Sequence, residues 1–143
     1  AENIAMCPLI NPKYVADVGP MCRRFPDTTV VIDHCARIDS QHKEELSKLC
    51  ALSKHPNVYV KISAFYAFGR KTPPYLEQIP KIKQLFESFG PQRLMWASDC
   101  PYQLENGNTY GASISLVRDR LDFLSDTDKD WLLRRTAQKV FFN

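Results

Sequence analysis

Four short apolar runs, each followed by a stretch with helical spacing, organise this chain. The first covers residues 4–10 and leads through Pro12, a candidate first helical residue, into a helical stretch ending near Phe25. After a turn at Pro26-Asp27, residues 29–34 form the second run, Thr-Val-Val-Ile-Asp-His. Asp39 and Ser40 are candidate caps for a helix reaching about Ser53, with Leu46, Leu49, Cys50 and Ser53 at helical spacing. His55-Pro56-Asn57 turns the chain into the third run, residues 58–64. A helix beginning at or just before Pro80 carries Ile82, Leu85, Phe86 and Phe89 as its apolar stripe, and Gly90-Pro91 stops it. The fourth run is 93–98, and two helical segments close the chain, about 111–124 and 126–141, with Ser125 and Asp128 supplying cap chemistry for the second.

Short, continuous apolar runs separated by amphipathic helices predict buried parallel strands in an α/β fold. The strand-to-strand intervals fit the ~30 residues of a βα unit in a (β/α)₈ barrel of about 250 residues, so 143 residues make about half of one. A doubly wound sheet shows the same alternation. No run is followed by a G-x-G-x-x-G or G-x-x-x-x-G-K loop, which disfavours nucleotide binding. Parity within the third run places Val58, Val60 and Ile62 on one face and Tyr59, Lys61 and Ser63 on the other. A barrel strand puts its apolar face under the helices, so Lys61 and Ser63 are expected to point into the barrel mouth.

Composition narrows the classes. Apolar residues at 44% and charged residues at 24% describe a globular chain, read here as one domain over residues 1–143, and no apolar stretch nears the ~20 residues of a spanning helix. Five scattered cysteines without a C-x-x-C pair argue against a disulfide framework and a structural zinc site, and for a reducing, cytoplasmic compartment. They read as small buried apolar residues. The opening Ala1-Glu2-Asn3 lacks the basic region of a secretion signal. A net charge of +3, with basic residues only in short pairs, makes nucleic acid an unexpected partner.

The candidate chemistry sits at strand ends, where a parallel barrel gathers its catalytic groups. His34 closes the second run and Asp99 follows the fourth. A core histidine satisfied by a carbonyl and an aspartate capping a turn are the structural alternatives. Their place on alternate strands, hence in one interior layer, favours a general base or a metal ligand, the two facing one ligand across ~10 Å. Asp33 has the opposite parity and suits a structural hydrogen bond or ion pair. Lys61 would act as an electrostatic clamp for an anion, and Arg37 and Arg70, in loops after strands, suit carboxylate recognition. Phe65, Tyr66 and Phe68 line a pocket or pack, while His42 and His55 read as surface or turn residues. Four parallel strands leave two unpaired edges, so the chain is expected to pair with a missing half or with a second copy.

The series Val-Val-Ile-Asp-His, Asn-Val-Tyr-Val-Lys-Ile-Ser and Phe-Gly-Pro-Gln-Arg-Leu-Met-Trp-Ala-Ser-Asp-Cys-Pro resembles the amidohydrolase-2 family of the amidohydrolase superfamily. Within it, the look is nearest to sugar-lactone and 2-pyrone-4,6-dicarboxylate lactonases, and the closing Thr136-Ala137-Gln138-Lys139-Val140-Phe141 resembles the family's last helix. The resemblance implies that the four runs are strands five to eight of a TIM barrel, the C-terminal half. It implies Asp99 as the base that activates the hydrolytic water and His34 as the sixth-strand histidine. Lys61 and Ser63 match the seventh-strand pattern, and Arg37 and Arg70 the substrate-binding positions. The family's first-strand His-x-His pair has no counterpart, and Cys7 stands in a run without a histidine. Metal status therefore stays open: one divalent ion such as zinc held by Asp99 and His34, or none. The expected activity is hydrolysis of a lactone or related cyclic ester derived from a sugar or bearing negative charge. The chain alone is expected to be inactive. The alternatives are a metal-dependent decarboxylase of the same superfamily and a non-catalytic binding module.

Overall fold

The computed structural model describes residues 4–142; Ala1-Glu2-Asn3, read above for the lack of a basic leader, lies outside the described residues. Three strands, β1 (Val30–Ile32), β2 (Val58–Ile62) and β3 (Leu94–Trp96), form a parallel sheet in the order β1-β2-β3. Val31 pairs with Tyr59, and Lys61 with Met95. Parallel neighbours need a helical crossover between them, and helices α2 (Lys43–Ala51) and α3 (Ile79–Phe89) provide it. Helix α1 (Val15–Arg24) precedes the sheet, and α4 (Tyr110–Arg120), α5 (Asp126–Asp130) and α6 (Thr136–Phe141) follow it, with a π-helical turn at Trp131–Arg135 joining the last two.

The parity reading of the third run holds in three dimensions. Val58, Val60 and Ile62, all fully buried, face the main core with Leu85, Ile82 and Leu116 from the helices. The opposite face carries Val31, Tyr59 and Met95, against which Ala5, Ala137 and Val140 pack. A fully buried Val or Ile contributes ~1.5–3 kcal/mol, so the helix-side face dominates the stability of the sheet. Helix α6 thus lies across the face that the sequence assigns to the barrel interior.

Four expectations are corrected. Residues 4–10 form no strand: Met6 makes a single parallel bridge to Val30, with its amide bonded to the Thr29 carbonyl at 2.8 Å. Pro8 has no N–H to donate to that ladder, although its carbonyl accepts the Asp33 amide at 3.2 Å, and no further strand pairs on the outer side among the described residues. The second helix begins at Lys43 rather than at Asp39 or Ser40. His42 is its N-cap residue, and the Asp39 carboxylate instead accepts the Ser40 amide. Strands are shorter than their apolar runs, and the chain turns left-handed two residues beyond β1 and β2 and three beyond β3. Finally, the cysteines are all free but not uniformly buried: Cys22 and Cys35 are buried, Cys50 is half-buried, and Cys7 and Cys100 are exposed. No helix among the described residues is long and apolar enough to cross a membrane.

Candidate active site

Each strand leaves the sheet through backbone that L-residues seldom adopt. After β1, His34, Cys35, Ala36 and Arg37 all have positive φ, at 51°, 49°, 54° and 57°. After β2, Ala64 has φ 56°, and after β3, Asp99 has φ 55°. Each non-glycine residue held there costs on the order of 1–2 kcal/mol, and such strain persists where the surroundings over-determine it. Here the strain collects at one end of the sheet and turns three side chains toward each other.

His34 and Asp99 meet at that end, with His34 Nε2 3.5 Å from Asp99 Oδ1 and both side chains partly accessible, at 16% and 19%. The ~10 Å separation expected from strand spacing is therefore corrected to direct approach: the left-handed exits lean both side chains over the intervening strand. Ser63, at the end of that strand, completes the link, its Oγ 2.7 Å from His34 Nδ1. When Nδ1–H donates to Ser63, the Nε2 lone pair faces the open side next to Asp99, ready to accept from a ligand. When the serine hydroxyl donates instead, Nε2–H faces the carboxylate.

The other carboxylate oxygen is held by Tyr66, whose hydroxyl donates to Asp99 Oδ2 at 2.7 Å. Burial first, and then the bond to Asp99, hold the Tyr66 phenol well above its usual pKa, so it stays a proton donor throughout the working pH range. The sequence placed Tyr66 only among pocket-lining or packing residues. Its bond to Asp99 depends on the turn that follows Ala64, and local sequence carries no sign of that turn.

The remaining candidates fall outside this cluster. Lys61 forms a 2.7 Å ion pair with Asp33, as the parity of Asp33 suggested, and its ammonium stands 5.7 Å from the Phe141 ring centroid. Arg37 is exposed and donates to Asn11 Oδ1 at 3.2 Å. Arg70 is exposed too, its backbone amide bonded to Glu77 Oε1 at 3.0 Å, and its side chain lines a separate cavity. The loops around the cluster are tied to each other by buried polar groups: Tyr75 donates to Asn108 Oδ1 at 2.5 Å, and Gln103 Nε2 donates to the Tyr75 hydroxyl at 3.0 Å.

Two donors on one tetrahedral ion, each bonded at ~2.0–2.1 Å, stand roughly 3.3 Å apart, which the His34–Asp99 spacing approaches. A tetrahedral site needs more than two ligands, however, and no group of three or more His, Cys, Asp or Glu able to hold an ion occurs among the described residues. The described residues alone therefore do not build a metal centre.

The sequence matches the amidohydrolase family (Amidohydro_2) over residues 9–142. It is 32% identical over 117 residues to an L-fucono-1,5-lactonase of Burkholderia ambifaria, an alignment covering 78% of this chain and 40% of that enzyme. A Pseudomonas putida structure assigned as a 2-pyrone-4,6-dicarboxylic acid hydrolase superposes with a TM-score of 0.71 at 29% identity, over 89% of this chain and 48% of the other. An amidohydrolase from Burkholderia multivorans, with HEPES bound, gives a TM-score of 0.78 at 25% identity, over 94% and 51%. The chain thus spans about half the length, or less, of the proteins it matches. With the match running almost end to end and a parallel sheet carrying ionisable groups at its strand exits, the chain belongs to the amidohydrolase family.

Proposed function

We propose that this chain is the C-terminal half, strands five to eight, of a (β/α)₈ hydrolase that opens a lactone or related cyclic ester. Residues 4–10 would be completed as strand five once a neighbouring strand pairs with them. The observation that carries the reading is the Ser63–His34–Asp99–Tyr66 chain of contacts, drawn from all three strand exits and left partly open to solvent.

In the complete barrel, Asp99 takes a proton from a water held beside Oδ1 while the water oxygen bonds to the lactone carbonyl carbon. His34 Nε2, oriented by Ser63, offers a hydrogen bond to the oxygen on which negative charge develops. The ring C–O bond then breaks, and the proton from Asp99 passes to the departing alkoxide, giving a hydroxy acid. Arg37 can release the single bond to Asn11 and present its fork to a substrate carboxylate. The lactonase relatives support the substrate class, and residues of the other half would complete the carbonyl-binding side.

The test uses the full-length enzyme with L-fucono-1,5-lactone and 2-pyrone-4,6-dicarboxylate, followed by proton release. Asp99→Asn is expected to lower kcat by ~10²–10⁴-fold with little change in KM, the usual contribution of a general base. Undiminished hydrolysis in that variant would overturn the assignment, and release of carbon dioxide would identify a decarboxylase instead.

A further inference from the structure

On the side of the sheet where α2 and α3 lie, the loops that follow β1 and β2 enclose a cavity of about 730 Å³. It is distinct from the strand-exit cluster and contains none of His34, Ser63, Tyr66 or Asp99. Three fixed cations line it, Lys43, Arg70 and Lys81, against two carboxylates, Asp39 and Glu77. Both carboxylates are already engaged by the backbone. Asp39 Oδ1 accepts from the amides of Ser40 at 2.7 Å and Gly69 at 3.2 Å, and Glu77 Oε1 accepts from the amide of Arg70. None of the three cations forms an ion pair with a carboxylate among the described residues.

Lys81 is the unusual member. Its ammonium donates to the Ile38 carbonyl at 2.8 Å and stands 5.3 Å from the Phe68 ring centroid, beside the cavity. Desolvation draws its pKa below the ordinary lysine value, although Cys35, Asp39 and Glu77 pull the other way. A desolvated cation without a close counter-ion is a costly arrangement, and an incoming anion relieves that cost. Helix α2 also starts without a side-chain cap: the His42 ring nitrogen accepts the Asp39 amide instead. The positive end of this helix therefore adds to the same field. The enclosure depends on Gly69, at φ 66°, where an added Cβ would come within 2.7 Å of Gln78 Nε2 and Glu77 Cγ.

From this combination we infer that the cavity binds a small polyhydroxylated anion, its carboxylate or phosphate seated by Lys81, Arg70 and Lys43 and its hydroxyls met by Ser40, Gln41 and Gln84. Two consecutive βα units of one chain build the cavity, so it is complete without any other half of the protein. The inference stands whether or not the lactonase reading does.

Titrating the ¹⁵N-labelled full-length protein with gluconate, glucose 6-phosphate, inorganic phosphate and glucose tests it. Saturable amide shifts centred on Ser40, Lys43, Gly69 and Arg70 are expected with gluconate or glucose 6-phosphate and not with glucose; their ranking identifies the head group. Lys81→Met and Arg70→Gln should each weaken binding by roughly tenfold, the loss of one charge-assisted hydrogen bond. Arg70 is exposed, so its variant keeps the fold even if Lys81→Met does not. Shifts located elsewhere, no saturable shift, equal binding of glucose, or unchanged affinity in Arg70→Gln would overturn the inference. Inorganic phosphate binding as tightly as both sugar anions would overturn its polyhydroxyl part.

Discussion

A carboxylate that is to take a proton from water must be fixed in direction, and Tyr66 does this for Asp99. The hydroxyl holds Oδ2, leaving Oδ1 on the side of His34. In Tyr66→Phe the ring stays and the donor goes. Losing a hydrogen bond to a charged group costs about 1.5–3 kcal/mol, so kcat of the full-length enzyme should fall by ~10–100-fold with KM nearly unchanged. An equal loss in KM would show that Tyr66 serves binding instead. Because the Tyr66 pKa is raised, the wild-type pH–rate profile should show no loss from this phenol as pH rises toward the ordinary tyrosine value. An alkaline limb in that region that Tyr66→Phe removes would contradict this. His34 and Asp99 could be named from their places after apolar runs. Tyr66 could not, because an aromatic four residues past a strand end is compatible with packing and with a hydrogen bond alike.

Among the elements, the cap of α5 and the stop of α3 agree with local chemistry, whereas α2 starts at Lys43 and not at the cap residues Asp39 or Ser40. Ser125 and Asp128 form a reciprocal capping box at the start of α5, with the Ser125 hydroxyl accepting the Asp128 amide at 3.2 Å and Asp128 Oδ2 accepting the Ser125 amide at 3.0 Å. Ser125→Ala should lower stability by about 1 kcal/mol, read as a lower urea midpoint at unchanged slope. An unaltered midpoint would mean that the tertiary packing of this final helical run, rather than its cap, sets its stability. Gly90, at φ 70°, ends α3 as its position after Phe89 suggests. Elements that depend on a partner depart from expectation. Residues 4–10 have strand-like composition, yet an edge strand needs a neighbour on each side to be extended, and beside β1 they make one bridge, Met6 to Val30, with backbone bonds at Met6 and Pro8.

For the whole molecule, length and exposed surface point the same way. The chain covers 40% of its lactonase relative, while Ile4, Met6 and Leu9, along the segment that borders β1, are 69%, 46% and 57% exposed. Apolar side chains beside an incompletely paired backbone are a template for another strand. Sedimentation at micromolar concentration should therefore show the 143-residue chain self-associating, and co-expression with the proposed other half-barrel should suppress this. A well-behaved monomer would contradict the half-barrel reading of these edges. Helix α6 covers part of the other face of the sheet, through Ala137 and Val140 packed against Val31, Tyr59 and Met95.

Periodicity in the chain was enough to specify the βα alternation, the buried face of β2, the stop at Gly90, the Ser125 cap and the two strand-end residues His34 and Asp99. These follow from interactions within a few residues of each other, so a single sequence records them. The convergence of Ser63 and Tyr66 on that pair, the diversion of Lys61 to Asp33, and the cavity around Lys81 come from residues 28 to 43 positions apart. Such meetings depend on how left-handed strand exits and helix packing aim side chains in space, and no local pattern encodes that direction.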